Sequence, residues 1–233
     1  MKNFAVIILI FASLSFSAFA QSGKAQFEQG VTLYEEENFT AAAAAFAKAA
    51  EKGNVDAQFN LGLMTLKGEG VEQDYPEAMR LFKLAAEQGN VKAQTNLARM
   101  YAKAKGVAPN YGQAVFWFRK AADAGYDDAQ YSLGVLYLSG ISVPRDLRKA
   151  WELFNAASEQ DNLSAHYQLG LMYFKGKGVA ENKAEGLKFL ALAGDFEESA
   201  LYLKYAQGKS SAEEIAEAKK MVTEWRADHP TKP

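Results

Sequence analysis

None of the 233 residues is a cysteine, and this absence excludes disulfide bonds, thiol catalysis and thiolate-bound zinc or iron–sulfur centres together. Histidine is scarce as well, with two residues in the chain, so a metal centre built from several histidines is nearly excluded. Charge is balanced rather than basic: 26 Lys and Arg stand against 28 Asp and Glu, a formal net charge of −2. Nucleic acids require a basic footprint on the protein. We therefore expect no nucleic-acid partner, and no metal or other cofactor.

The first twenty residues have the pattern of a secretory signal peptide. Lys2 supplies a short positive start, an almost wholly apolar run covers residues 4–16, and small residues follow at Ala18 and Ala20. A membrane anchor is the alternative, but the run is shorter than the ~20 residues that a spanning helix needs. No cysteine follows the run, so a lipid anchor is excluded too. The sequence predicts cleavage after Ala20, no stable membrane anchor afterwards, and a periplasmic or secreted bacterial protein.

The rest of the chain repeats itself with a step of 36 residues. The repeated positions carry small or apolar residues: Ala57, Ala93, Ala129 and Ala165; Leu61, Leu97, Leu133 and Leu169; Val71, Val107, Val143 and Val179. A glycine follows three of the leucines, at Gly62, Gly134 and Gly170. So many positions in one register do not arise by chance, and a fixed step of this length is typical of stacked repeats.

Each copy contains two helical patterns joined by glycine-rich turns. In the first copy, small and apolar side chains of residues 57–66 fall on one helix face, and a second such face runs through residues 75–88. Gly62 costs ~1 kcal/mol of helix stability relative to Ala, but without a Cβ atom it lets the neighbouring helix backbone approach closely. Short turns force antiparallel hairpins, and one hairpin cannot bury its apolar face alone. The sequence therefore predicts an all-α solenoid of stacked helical hairpins.

The repeated skeleton Leu-Gly-x-x-Tyr, followed by Ala-x-x-x-Phe, is the one found in tetratricopeptide hairpins. Together with the 36-residue step, the Gly-x-Gly-Val loop at residues 68–71 and 176–179 closely resembles Sel1-like repeats, a tetratricopeptide relative with a longer loop. This resemblance implies a right-handed α/α superhelix and a role as adaptor or scaffold for other proteins. Four positions depart from the pattern and predict local changes only: Ala98, Lys105, Ser142 and Gly186.

The repeat register also divides the chain into segments. Residues 1–20 form the leader, and residues 21–54 form an N-terminal capping repeat that lacks four residues of the inter-helix loop. Four Sel1-like repeats are predicted at residues 55–90, 91–126, 127–162 and 163–196. Residues 197–233 are predicted to form capping helices and a tail, in which Ser211 and Glu214 make a capping box and the last six residues fray.

The titratable residues form no recognisable catalytic motif. His166 takes the place of glutamines in the other repeats, so we expect it on a helix surface, and His229 lies in the tail. Residues 208–210 resemble the end of a phosphate loop, but Leu203 stands where that motif requires a glycine. The sequence therefore predicts a protein that is not an enzyme. An enzyme acting on cell-wall material is a distant alternative.

The resemblance also implies where a partner binds, because first helices line the concave face of tetratricopeptide-like solenoids. Positions two before and two after the repeated leucine then point into this groove, together with positions near the end of the first helix. The predicted protein-binding residues, called the groove residues below, are Phe59, Leu63, Lys67, Arg99, Lys103, Tyr131, Val135, Tyr167, Leu171, Phe174 and Lys175, with Thr95 in the same register. Exposed aromatic and Arg side chains are typical binding anchors, and basic side chains can hold an acidic segment. The alternative interpretation is that the aromatic rings pack between adjacent helices.

These observations favour a non-catalytic adaptor that binds an unknown protein or peptide of the cell envelope. An immunity protein that blocks a toxin delivered to the periplasm is the main alternative, since some periplasmic Sel1-like proteins have that role. An adaptor predicts several weaker partners, whereas an immunity protein predicts one tight, one-to-one complex.

Overall fold

The computed structural model describes residues 23–103, 106, 108–194 and 197–230. The predicted leader, residues 1–20, lies outside the described residues, and so does Lys105. Within the described part of the chain every regular element is a helix, and no strand occurs. The predicted all-α architecture of helical hairpins is confirmed.

Twelve helices follow one another along the described residues, and odd and even numbers mark the first and second helix of each hairpin. Helix α1 covers residues 23–35. The others are α2 (Phe39–Glu51), α3 (Val55–Lys67), α4 (Tyr75–Glu87), α5 (Val91–Lys103), α6 (Tyr111–Asp123), α7 (Asp127–Ser139), α8 (Leu147–Ser158), α9 (Leu163–Lys175), α10 (Lys183–Leu192), α11 (Glu197–Gln207) and α12 (Ala212–Asp228). The described residues form two compact units, the first ending at Trp117 and the second beginning at Phe118, with the boundary inside α6.

Polar side chains immediately before the helices fix where the helices begin. The Asn54 side chain accepts a hydrogen bond of 2.8 Å from the backbone N–H three residues on, and Asp74 caps α4 in the same way at 3.0 Å. Such a cap stabilises a helix by about 1 kcal/mol, because it satisfies a backbone N–H that has no partner inside the helix. The predicted capping box of Ser211 and Glu214 is confirmed at the start of α12.

Within the hairpins, a glycine of the first helix faces a large side chain of the second helix. A Cβ atom on Gly62 would lie 2.9 Å from the Phe82 ring, and one on Gly134 would lie 2.7 Å from the Phe154 ring. Both rings are fully buried. These glycines therefore make room for an aromatic ring, whereas the sequence predicted that they admit the neighbouring helix backbone.

The end of α12 is held by contacts of its last residues. The His229 ring stacks on the Trp225 ring with a centroid distance of 3.9 Å, and its Nε2 atom lies 3.4 Å from Glu159 Oε2. His229 therefore makes two side-chain contacts at the end of this helix, and the fraying of the last residues stays a prediction. Residues 231–233 lie outside the described residues.

Candidate functional site

In the first unit, groove residues of α3 line a cleft between α1, α2 and α3. Leu63 and Lys67 face this cleft, which encloses about 290 Å³. Its apolar wall also includes Val31, Phe46 and Met64. At the edge, the Tyr34 hydroxyl donates a hydrogen bond of 3.0 Å to Glu69, and this bond to a carboxylate raises the pKa of Tyr34. The cleft thus combines an apolar floor with polar groups at its rim, as binding pockets generally do.

The other groove residues of the first unit lie on α3 and α5. Phe59 is half-buried, with its ring centroid 6.0 Å from that of Phe82. On α5, Arg99 is half-buried and Lys103 is exposed. These three side chains therefore all reach solvent to some degree.

Thr95 does not belong to the groove, and its inclusion was wrong. The side chain is 1% exposed, and its hydroxyl donates a hydrogen bond of 2.9 Å to the Val91 carbonyl. A short side chain whose hydroxyl is satisfied within its own helix can be buried without loss of hydrogen bonding. The repeat register alone does not distinguish this position from those of longer aromatic side chains.

In the second unit, Tyr131 and Val135 are the groove residues of α7, and both are half-buried. The Tyr131 ring centroid lies 5.8 Å from that of Phe154. Burial raises the pKa of the Tyr131 hydroxyl, while hydrogen bonds with Gln168 and Ser164 of α9 oppose the rise. Tyr131 therefore links the faces of two successive first helices.

Helix α9 carries four groove residues. Tyr167, Leu171 and Phe174 are half-buried, and Lys175 is exposed. The Lys175 Nζ atom lies 4.9 Å from the centroid of the Tyr202 ring of α11, and this ring packs edge-on against Phe174 at 6.1 Å. Burial raises the pKa of the Tyr167 hydroxyl. A cation and several rings thus come together at the end of α9.

Two exposed residues of α11 extend this face, and the 36-residue register does not select them. Leu201 and Tyr205 are 68% and 54% exposed. Leu201 lies two residues before Leu203, and Tyr205 lies two residues after it. The same offsets from the repeated leucine define groove residues in the other repeats. A fixed step of 36 misses them, because Leu203 follows Leu169 by 34 residues. Leu163 at the start of α9, 53% exposed, belongs to the same face.

The aromatic groove residues share a packing arrangement with the N-terminal repeat. The ring centroids of Phe27 and Phe46 are 5.8 Å apart, close to the distances within the pairs Phe59–Phe82 and Tyr131–Phe154. Part of each first-helix ring therefore belongs to the core of its hairpin, and the remainder stays accessible to solvent. The role of these rings in binding stays a prediction.

His166 is buried, so the prediction of a surface position is wrong. The side chain is 1% exposed, and its Nδ1 atom lies 3.0 Å from Ser158 Oγ. The ring contacts those of Phe189 and Trp225, with centroid distances of 6.0 and 5.6 Å. Burial lowers the pKa of His166 to about 4, although Asp161, 3.8 Å from Nε2, acts in the opposite direction.

The other repeats show why this polar position is buried. It holds a buried glutamine in three of them: Gln58, Gln94 and Gln130. Each amide donates a hydrogen bond of 3.0 to 3.5 Å to the carbonyl of an alanine eight residues earlier. In the fourth repeat that earlier residue is Ser158, and its hydroxyl pairs with His166 instead. A polar side chain at this position finds its hydrogen-bond partner on the preceding helix, so its polarity does not indicate exposure.

Two further observations concern the described residues. No three His, Cys, Asp or Glu side chains of the described ranges gather as a metal site. Among the helices described, none is both long and apolar enough to cross a membrane. The hairpins, the glycine–phenylalanine pairs and the face of half-buried rings together define a helical-repeat protein of the tetratricopeptide-like class.

The family follows from a comparison with known repeat sequences. The Sel1 repeat model matches residues 55–90, 91–126, 127–162 and 163–195. The chain belongs to the Sel1 repeat family, as its motifs predicted. Proteins of this family are generally non-catalytic helical scaffolds that bind protein partners. No curated protein matches the chain significantly.

Solved structures show the same fold. A protective antigen of uropathogenic Escherichia coli strains, which displays an SLR fold, is 38% identical with a TM-score of 0.74 over 82% of this chain. This chain spans only 42% of that antigen's length. A Sel1 repeat protein from Oxalobacter formigenes is 30% identical with a TM-score of 0.69, covering 76% of this chain and 74% of its own. An immunity protein from Pseudomonas aeruginosa, 21% identical with a TM-score of 0.52 over 85% of this chain and 80% of its own, shares the fold alone.

Proposed function

We propose that this protein is a non-catalytic adaptor of the periplasm, which binds a partner protein or peptide on the groove residues of its first helices. The observation that carries the proposal is the apolar face of α9 and α11, on which the Tyr202 ring packs against half-buried Phe174 at 6.1 Å and against exposed Tyr205 at 5.5 Å. Contiguous apolar side chains with this exposure mark a surface that a partner covers. The general binding of protein partners by the family supports the same function.

Basic side chains indicate the chemistry of the partner. Three of the first helices end in exposed lysines, α3 at Lys67, α5 at Lys103 and α9 at Lys175. An ammonium group beside an apolar surface favours a segment that carries both a bulky apolar side chain and a carboxylate. We therefore infer that the partner segment is apolar with an acidic flank.

The surroundings of His166, whose pKa is lowered by burial, support a non-catalytic role. His166 contacts Phe189 and Trp225 through its ring and bonds Ser158 through Nδ1. A general base must come within hydrogen-bond reach of its substrate, whereas this side chain is 1% exposed. The lowered pKa of His166 therefore fits a packing role.

The periplasmic location rests on the leader pattern. We expect the protein isolated from cells to begin at Gln21, because Ala18 and Ala20 supply the small residues that signal-peptide cleavage requires. Intact-mass measurement and N-terminal sequencing of the protein from a periplasmic fraction check this expectation. A protein that retains residues 1–20, or that fractionates with the cytoplasm, contradicts it.

Affinity capture tests the binding proposal. The chain of residues 21–233 is immobilised, and the proteins that it retains from an envelope extract are quantified by mass spectrometry. One variant replaces Phe59, Tyr131 and Tyr167 by Ala, and a second carries Leu201→Glu with Tyr205→Glu. We expect each variant to lose at least one protein that the wild-type chain retains, because each removes apolar surface from the groove face.

Phe116→Glu is the matched control for this experiment. Phe116 is an apolar side chain of the second helix α6 and is 48% exposed, so its replacement alters a different face. Circular dichroism reports whether each variant keeps its helices. The Leu201→Glu, Tyr205→Glu variant changes exposed side chains only, so it decides the outcome if the triple-Ala variant loses helicity. Retention of the same proteins by this folded variant and by the wild type contradicts the proposal.

An immunity role is the second candidate, favoured by the Pseudomonas aeruginosa immunity protein that shares the fold. The two functions differ in what the capture experiment yields. An immunity protein retains one dominant protein in a one-to-one complex, whereas an adaptor retains several proteins with lower affinity. Light scattering on the eluted complex measures the stoichiometry.

A further inference from the structure

Helix α12 lacks the large buried side chain that other second helices place against their first helix. These side chains are Phe46, Phe82, Phe154 and Leu190, each facing a glycine. In α12 the buried residue is Ala218, and α11 offers no glycine for close approach. The space that a phenylalanine or leucine fills in the earlier hairpins is therefore left open between α11 and α12.

A cleft of about 320 Å³ occupies this space, with α10 as its third side. Its wall is mainly apolar, and includes Leu187, Leu203, Ile215 and Val222. None of its lining residues is a groove residue, so the cleft is a separate surface of the second unit. It has room for a bulky apolar group, which the chain itself does not supply.

The charges of the cleft lining are all positive. Lys219 and Arg226 of α12 line the cleft and are exposed, and no acidic residue lines it. Neither has an acidic residue three or four positions away along α12, and neither forms an ion pair within the described residues. Lys220, by contrast, pairs with Glu224 at 3.7 Å on the same helix. The two cations of the cleft are thus available to anionic groups of a ligand.

We propose that this cleft binds an acidic amphipathic helix of a partner protein. A bulky apolar side chain of that helix enters the cleft, and two carboxylates on either side of it pair with Lys219 and Arg226. Residues seven apart on a helix lie on the same face about 10.5 Å apart along the axis, so a partner helix with carboxylates seven apart matches the two cations. This binding site goes beyond the groove proposal, since either surface can bind while the other does not.

The probe for this site is an Ala-rich helical peptide that carries one Phe, with a Glu three residues before it and a Glu four residues after it. The peptide is titrated to millimolar concentration into ¹⁵N-labelled protein of residues 21–233, and amide chemical shifts are followed by NMR. We expect the largest shifts around Leu187, Leu203 and Val222. A peptide with both Glu replaced by Gln, and one with Phe replaced by Ala, should each bind about tenfold more weakly.

Variants of the protein separate charge recognition from apolar fit. Lys219→Glu with Arg226→Glu should weaken binding of the probe about tenfold, because both changes place repelling charges at the carboxylates. Val222→Phe should also block binding, because the ring fills the cleft, and its helicity should be unchanged. Lys220→Glu is the matched control, since Lys220 does not line the cleft, and it should bind as the wild type does.

Three results would overturn the proposal. The first is no chemical-shift change at millimolar peptide. The second is a set of shifts centred on the groove residues Tyr131 and Tyr167 instead of the cleft. The third is equal affinity of the wild type and the Lys219→Glu, Arg226→Glu variant. The groove proposal is unaffected by the first and third results, because the capture experiment tests it on different residues.

Discussion

Gly134→Leu is expected to lower the free energy of unfolding by about 3 kcal/mol. A Cβ atom on Gly134 would lie 2.7 and 2.9 Å from two carbons of the Phe154 ring, which is fully buried. Because the ring is fully buried in the hairpin, we expect the larger side chain to separate α7 from α8. This separation exposes apolar surface and leaves gaps in the core of the hairpin. Urea unfolding followed by circular dichroism measures the change.

Gly112→Ala is the matched control for this prediction. Gly112 also lies in a helix, but a Cβ atom there would meet only Asn110 Oδ1, at an ordinary contact distance of 3.4 Å. Alanine is the better helix former by up to ~1 kcal/mol, so this variant should be as stable as the wild type or slightly more stable. An unchanged unfolding midpoint for Gly134→Leu would contradict the packing of glycine against Phe154.

Acid is expected to destabilise the protein through His166. Well above pH 6.5 the imidazole is neutral in both the folded and the unfolded chain, so it adds no pH dependence there. Between pH 6.5 and about 4 the unfolded chain binds a proton at His166, whereas the folded chain does not, because burial lowers the pKa to about 4. Stability therefore falls as the pH falls through this window, by about 3 kcal/mol in total.

The double variant Ser158→Ala, His166→Gln isolates this effect. It recreates the alanine and glutamine pair that joins the first and second Sel1 repeats, in which Gln94 donates a hydrogen bond of 3.0 Å to the Ala86 carbonyl. The two proteins differ only at these two positions, so the difference between their stability curves reports the replacement of the His166 imidazole. We expect the curve of the variant to fall less between pH 6.5 and 4. Parallel curves for the two proteins over this window would show that the His166 imidazole is not buried in its neutral form.

The repeat register predicted the fold because the residue at each repeated position has the same structural role in every copy. An alanine or leucine at a fixed step must face the core, and a glycine such as Gly134 must face a large side chain. What the pattern did not specify was the atom that approaches the glycine. A ring and a helix backbone require the same missing Cβ, so the sequence alone does not distinguish them.

His166 shows where residue type is a poor guide to exposure. Its polarity suggested a helix surface, yet the partner that satisfies it, Ser158, lies eight residues earlier on the preceding helix. The change from alanine to serine at that position is visible in the sequence, eight residues before the change from glutamine to histidine. A paired substitution of this kind indicates contact, and it is the signal that would have predicted burial.

The repeat register also explains which solvent-accessible residues of the candidate site the sequence predicted and which it missed. The fixed offsets from the repeated leucine located Tyr131 and Tyr167, whose rings reach past the core to solvent. They also selected Thr95, which is too short to leave the core. Leu201 and Tyr205 were missed because the last step shortens to 34 residues. Offsets counted from each leucine, rather than from a fixed period, would have found both.

Site-specific photocrosslinking in living cells tests most directly whether a partner covers the apolar face of α9 and α11. A photoreactive phenylalanine analogue is placed at Leu201 or Tyr205, and for comparison at Arg148 of the second helix α8, where the side chain is 87% exposed. We expect protein adducts from Leu201 and Tyr205 and none from Arg148. Adducts from Arg148 together with none from Leu201 or Tyr205 would contradict it.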